Sequence, residues 1–363
     1  MSKDYSSAME NPQGQGLRGL PGPLLLTGHT GFKGTWMTFL LEQLNIPVVG
    51  YSLPASRDSL FERAERTGVI PEAFADIRNY EALERFIDLH KPSTIIHMAA
   101  QPLVLKSYEG PRDTFEVNVM GTVNLLDIAF KKDYVRAIIV VTTDKVYRND
   151  NSGRAFVETD PLEGKDPYSA SKVGTEAVIT AWQQLAKFSG GPNVVSVRAG
   201  NVIGGGDFAE NRIIPDLIRG VISGIPVVIR NPHSTRPWQH VLDPLFGYLI
   251  VVEQSLQGVE HSSFNFGPMD ESLTVAQLTQ IGNTVFNDLV FSTQQNNLSM
   301  NIEATALNLD PSLVCENFGW KPRWTQEQAI FNTFTWWYSH LKNSKNAKQL
   351  CEAEVLEFLR SRP

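Results

Sequence analysis

Between residues 23 and 200 the hydrophobic positions fall into two alternating kinds of run. Short apolar stretches, PLLLT, PVVGYSL, STIIHMAA, AIIVVTT and VVSVRAG, have the near-continuous hydrophobic character of strands buried on both faces. Between them apolar residues recur at helical spacing up to Asn45, over Tyr80 to His90, over Thr114 to Lys131 and over Ala170 to Phe188. Strands alternating with helices in this way predict an α/β fold, a doubly wound parallel sheet with helices on both faces.

After Gly200 the period weakens. GGGDFAENRIIP, RNPHSTRPWQ and FNFGP read as loops, and helices return around Ala304 to Leu341. The expected division is a flexible tail over 1–22, a first domain over 23–200, a smaller lobe over 201–343 and a terminal helix over 344–363. Segments of the lobe such as 236–267 are expected to return to the first domain. The tail is rich in Gly, Ser, Gln and Pro without an apolar period, so it cannot repay the entropy of ordering itself.

Two lobes suit a chain of 363 residues. Acidic residues outnumber basic ones, 39 to 32, and the formal charge of −7 has the wrong sign for a phosphate-backbone binder, so no nucleic acid partner is expected. No apolar run approaches the ~20 residues that cross a bilayer, so no membrane partner is expected either. Cys315 and Cys351 are too few for a disulfide framework, and the N-terminus lacks the order of a secretory signal, which together predict a cytoplasmic protein. No cluster of His, Cys and carboxylates has metal-ligand spacing, so no metal is expected; His90 and His97 read as structural.

Chemistry concentrates in three places. The turn Gly28-His29-Thr30-Gly31-Phe32-Lys33-Gly34 joins a strand to a helix, where glycines let the backbone approach a pyrophosphate at the positive helix end. In that context the spacing points to dinucleotide binding by a Rossmann-like domain of the short-chain dehydrogenase type. The second strand ends without the acidic residue that grips a ribose; Ser52 and the later Arg57 stand there instead, leaving NAD and NADP both open. Asp76 with Ile77 suits adenine, or Asp76 caps the following helix.

The second place is Tyr168 and Lys172 in DPYSASK, four apart on one helix face, where an ammonium favours the phenolate and lets it take a proton from a substrate hydroxyl. The third is Thr143-Asp144-Lys145 at the carboxyl end of the AIIVV strand. Thr143 is placed to bond the same hydroxyl as Tyr168, and an adjacent acid and amine suit a reaction that removes one proton and protonates a leaving group. In the second lobe Asn201, Arg212 and Arg236 read as contacts for a diphosphate, since the arginine fork fits its oxygens, while His240 either holds a hydroxyl or orients its loop.

From about Leu24 to His340 the chain resembles the extended short-chain dehydrogenase/reductases of the NAD-dependent epimerase/dehydratase family, and among them the CDP-glucose 4,6-dehydratases. The likeness lies in TGHTGFKGTW, GYSLP, HMAAQPLV, TTDKVYRN, DPYSASK, RAGNVIGGGDFAENRIIPD and RNPHSTRPWQHVLDP. It implies a retained NAD, lined also by Ala99 and Ala100, a nucleotide-sugar substrate, probed also by Gln101, and a homodimer built on the Thr114 to Lys131 helix and the helix after Tyr168. It further implies C4 oxidation by Tyr168 with Thr143 and Lys172, protonation of the C6 hydroxyl by Asp144, and Lys145 at the position where relatives carry a glutamate base. Val146 and Arg148 depart from the family pattern beside the sugar site. UDP-N-acetylglucosamine or dTDP-sugar dehydratases and, further off, 4-epimerases are the alternatives.

Overall fold

The computed structural model describes residue 19 and residues 22–150, 152–229, 231–259, 262–286, 291–293 and 307–362. Apart from Gly19 and Gly22, the expected tail lies outside the described residues. Seven parallel strands form the central sheet: β1 (Leu24–Thr27), β2 (Val48–Ser52), β3 (Glu72–Phe74), β4 (Thr94–His97), β5 (Ala137–Val141), β6 (Asn193–Ala199) and β7 (Ser263–Phe266). They lie in the order β7-β6-β5-β4-β1-β2-β3. The order reverses between β1 and β4, the position at which such sheets open a crevice for a ligand. The residues of β1, β2, β4 and β5 are all buried, as their unbroken apolar runs require.

Helix α1 (Phe32–Gln43) follows β1 and packs Trp36, Met37, Phe39, Leu40 and Leu41 into the largest of three hydrophobic clusters among the described residues. Helix α2 (Tyr80–His90) begins at Asn79, whose side chain accepts from the Ala82 amide. The helix expected over Thr114 to Lys131 is not continuous. Short helices Val104–Glu109 and Pro111–Phe115 lead into a π-turn over Glu116–Met120, and only then does α3 (Gly121–Phe130) run regularly. The π-turn turns Asn118 sideways: its carbonyl accepts from Thr122 and Thr175, and its amide donates to Ser171 and to the Gln101 carbonyl. Tertiary hydrogen bonds thus replace part of the helical ladder.

Helix α4 (Pro167–Ser189) is capped by Asp166, which accepts from Ser169, and carries Tyr168 in its first turn. Beyond residue 200 come α5 (Ile213–Ser223), α6 (Leu242–Ser255), α7 (Val275–Val285), α8 (Gln326–Leu341) and α9 (Ala347–Arg360). Helix α6 is buried along most of its length, packing against α1, β5 and β6. Strand β7, from a stretch whose sequence reads as loop, pairs with β6 and forms one edge of the sheet. Its SFNF offers no alternation over more than four residues and runs straight into Gly-Pro, which hides it from a period count. Helix α9 seats Cys351, Val355 and Phe358 in the core against α1.

Candidate functional site

The loop from β1 to α1 is built to let backbone approach backbone. Gly28 has φ +74°, and a Cβ there would lie 2.7 Å from the Ala99 nitrogen; at Gly34 one would lie 2.1 Å from the Gly28 carbonyl oxygen. Gly31 differs, because a Cβ there meets only the Gly28 oxygen, at 3.4 Å. No side chain caps α1 at Gly31, so the first amides of the helix face the open side of the turn. A pyrophosphate-bearing dinucleotide fits this cradle, with its anionic groups at the positive helix end. Thr30 bonds Ser52 (2.8 Å) and the Leu53 carbonyl (2.9 Å), locking the turn to the end of β2. Thr27 accepts from the amides of Met98 and Ala99 and shares a 2.7 Å bond with His97 Nδ1, which closes the β4 loop over the crevice.

Asp76 does not cap α2; Asn79 does. The Asp76 carboxylate is held by the Arg78 amide and guanidinium (2.7 to 3.0 Å), and Arg78 draws its carboxyl below the ordinary range. Ile77 is buried against Gly121, where a Cβ would come within 2.6 Å of its methyl group.

At the carboxyl end of β5 the chain turns through a single 3₁₀ turn, Asp144–Val146. Thr143 donates to Asp144 Oδ1 (2.9 Å) and stands beside the Tyr168 phenol; Lys145 Nζ lies 3.5 Å from the same Asp144 oxygen. Thr143, Asp144, Tyr168 and Lys172 are buried, whereas the Lys145 side chain is 28% exposed. Burial raises the Tyr168 pKa, opposed mainly by the charge of Lys145 and by the Thr143 hydrogen bond. Lys172, expected to depress that phenol, donates instead to the Val141 carbonyl (3.2 Å) and is itself pushed down to about 8 by burial, held up by Glu176. In the four-residue spacing alone, nothing distinguishes an amine aimed at the tyrosine from one aimed at the strand.

Lys33 belongs with this group as well as with the phosphate turn. Its pKa is pushed down to about 8 by burial and then by the charge of Arg212, with Asp144 working in the opposite direction. Arg212 pairs with Asp207 (2.9 Å), and its charge reaches both Lys33 and Tyr168. Asn201 is exposed and lines a cleft with Gly200, Pro237 and Gln239. Gly200 leaves room beside Asp144, whose Oδ2 would lie 3.4 Å from a Cβ there. Arg236 is half-buried and donates to the Thr235 carbonyl.

Two expected substrate contacts are committed elsewhere. Gln101 spends its side chain on Leu103 in its own loop and on Thr114 of the helix Pro111–Phe115. His240 is fully enclosed, its ring edge-on to Trp36 and Trp324 and its Nε2 3.1 Å from Glu354, so it fastens its loop to α9.

The model of the NAD dependent epimerase/dehydratase family matches residues 24–267. The chain belongs to this family. It is 40% identical over 322 residues to the CDP-glucose 4,6-dehydratase of Salmonella typhimurium, covering 86% of this chain and 89% of that one. It is 25% identical to dTDP-glucose 4,6-dehydratase 1 of Escherichia coli over 358 residues, 90% of this chain and 95% of that protein. Among solved structures, the fold is shared with the dTDP-glucose 4,6-dehydratase of Streptomyces venezuelae (TM-score 0.72, 23% identity, 89% of this chain and 98% of that one). It is equally shared with the UDP-glucose 4-epimerase of Thermotoga maritima (TM-score 0.74, 22% identity, 89% and 100%). Dehydratases and epimerases of the family thus share one scaffold, and what separates their reactions must be sought in side chains at the site.

Proposed function

We propose that this chain is a nucleotide-sugar 4,6-dehydratase, a hydro-lyase that converts CDP-glucose to CDP-4-keto-6-deoxyglucose with net loss of one water. The observation that carries the reading is the Asp144–Lys145 pair set beside Thr143 and Tyr168 at the end of β5. The 40% identity to the Salmonella CDP-glucose enzyme favours CDP-glucose over UDP-N-acetylglucosamine or dTDP-glucose. An epimerase has no leaving hydroxyl to protonate and so no use for a buried acid at Asp144.

NAD would be held by Gly28, Thr30, Gly31, Phe32, Lys33 and Gly34 at its phosphates, by Ser52, Asp76 and Ile77 on the adenosine side, and by Ala99, Ala100, Tyr168 and Lys172 towards the nicotinamide. When bound, it supplies the reversible hydride acceptor that the reaction requires. Tyr168 takes the proton of the C4 hydroxyl, sharing its hydrogen bond with Thr143, and the charge of Lys145 offsets the burial that otherwise keeps the phenol protonated. Once C4 is a ketone, the C5 hydrogen is acidic. Lys145 takes that proton when uncharged, or when charged stabilises the enolate while another group takes the proton; after water has left, the hydrogen removed from C4 is delivered to C6 and a proton returns to C5. Asp144 gives its proton to the C6 hydroxyl, which leaves as water, and Thr143 orients the carboxyl through Oδ1.

Arg212, with Asn201 and Arg236, serves the diphosphate of the substrate. Gln101 and His240 act only through the loops they fix. In this reading 23–200, joined by 236–267, carries the cofactor and the rest of 201–343 the sugar nucleotide. A cytoplasmic homodimer completes it: Leu105, Tyr108, Phe115 and Met120 are 40 to 52% exposed beside the helices expected to pair across a two-fold axis. Among the described residues no helix is long and apolar enough to cross a membrane.

The test is mass spectrometry of the purified protein with NAD and, separately, CDP-glucose, UDP-N-acetylglucosamine, dTDP-glucose and GDP-mannose. Loss of water from CDP-glucose alone is expected. Loss from another donor moves the substrate assignment, and inertness towards all four removes the dehydratase reading.

A further inference from the structure

Beneath the turn that carries Asp144 and Lys145 lies a closed network of buried polar groups. Arg198, at the penultimate position of β6, donates two parallel bonds to Glu176, Nε to Oε1 at 2.9 Å and Nη2 to Oε2 at 2.8 Å. Both side chains are about 95% buried. Glu176 stands one helical turn beyond Lys172 and also accepts from the Thr142 hydroxyl at 2.5 Å. Arg198 Nη1 donates to the Tyr147 hydroxyl (2.8 Å), which in turn donates to Asn265 Oδ1 (2.7 Å). Asn265 is the register partner of Arg198 on β7; its side-chain amide donates to the Phe156 carbonyl (2.9 Å), and its backbone amide donates to Glu158 (2.7 Å).

A charge pair so far from water contributes little net stability, because desolvation offsets its attraction. The placement of its partners suggests what it achieves. Thr142 immediately precedes the Thr143-Asp144-Lys145 run and Tyr147 follows it after one residue, so the network grips the reactive turn at both ends. The Asp144 backbone carbonyl accepts from the Tyr147 amide (3.3 Å), but among the described residues its carboxylate is bonded only by Thr143 and Lys145 and stays available to the site.

We propose that Arg198 and Glu176, acting through Thr142 and Tyr147, are positioning residues that fix the turn presenting Asp144 and Lys145. The inference deepens the dehydratase reading and rests on it for its catalytic consequence, but the fixing of the turn is measurable without substrate. Positioning errors of an ångström at a reacting centre cost up to ~10²-fold in rate, so the loss should appear in the step that uses Asp144 and Lys145.

Tyr147→Phe removes only the hydroxyl, leaving the ring stacked on Phe156, and Arg198→Lys keeps the charge without the fork. The first measurement is amide hydrogen exchange of both variants, without substrate. Exchange over 143–148 should quicken about tenfold while β4 and the second half of α4 stay as in the unmodified protein. The second is steady-state turnover of CDP-glucose, where kcat should fall about 10- to 100-fold with KM within twofold, and solvent deuterium uptake at C5 should slow more than cofactor reduction. Unchanged exchange over the turn in both variants overturns the inference, as does a loss confined to thermal stability with kcat intact. If the turn loosens as expected but the unmodified protein dehydrates no nucleotide sugar, the positioning role stands and the dehydratase reading fails.

Discussion

Gly31 and Gly34 lie one helical turn apart in the same motif, yet the structure assigns them different tasks, and alanine at each separates cofactor binding from folding. At Gly34 an added Cβ would sit 2.1 Å from the Gly28 carbonyl and 2.6 to 2.8 Å from the His29 backbone, with no flexible side chain able to yield. Overpacking of that kind costs about 1–3 kcal/mol or more, and a large share of that falls on a turn that all of α1 depends upon. At Gly31 the backbone has φ −74°, open to any residue, and the added carbon meets one oxygen at 3.4 Å. The folded state should therefore change by less than about 1 kcal/mol, the N-cap preference for Gly over Ala being offset by a stiffer unfolded chain. The methyl would instead enter the space in which the account places the pyrophosphate, and a loss of about 1.4–2.8 kcal/mol of binding is a 10- to 100-fold weaker NAD complex. Thermal unfolding by circular dichroism and NAD titration by calorimetry decide it: Gly31→Ala keeps its melting temperature and loses NAD affinity, and Gly34→Ala melts early. Undiminished NAD affinity in a folded Gly31→Ala protein would refute the assignment of the turn to the cofactor.

Tyr168→Phe should abolish cofactor reduction on addition of CDP-glucose, followed by nicotinamide absorbance, while leaving NAD binding within a few-fold; normal turnover would sink the proton-acceptor role. Lys145→Ala should slow C4 oxidation, because the Tyr168 phenol loses a neighbouring charge, yet slow elimination further, by about 10²-fold or more, read as lost deuterium uptake at C5; elimination slowed no more than oxidation would refute a role for Lys145 at C5. His97 is held neutral by burial, with its pKa pushed down to about 3, and both ring nitrogens are hydrogen-bonded, to Thr27 and Thr122. Between pH 6.5 and 3 the unfolded chain takes up a proton there that the folded chain refuses, so stability falls as the pH drops, by about 4–5 kcal/mol over that range. Urea unfolding from pH 7 to 4 should show that slope, and His97→Gln should flatten it.

The parallel sheet was legible because buried strands leave unbroken apolar runs and the helices between them keep their period; β1, α2 and β5 lie where the pattern places them. What escaped was structure made by tertiary bonds. The π-turn at Glu116–Met120 exists because Asn118 is recruited by Ser171 and Thr175, 53 and 57 residues away, and no local period records that. Short β3 and β7 are strands only because neighbours offer them edges. At the site, Thr143, Asp144, Lys145 and Tyr168 could be paired from motif and strand end, but the aim of Lys172 at the Val141 carbonyl could not. One signal was available and unused: Arg198 is a charge inside the apolar run VVSVRAG, and a charge in a strand buried on both faces requires a partner, here Glu176.

In the proposed reaction the hydrogen removed from C4 is the one that arrives at C6 after water has left. Incubation of the NAD-loaded protein with CDP-glucose deuterated at C4, followed by mass spectrometry and NMR of the product, tests it most directly. The predicted product is one water lighter and carries the deuterium at C6. A product of unchanged mass with deuterium still at C4, or a dehydrated product with the label lost to solvent, would rule that transfer out.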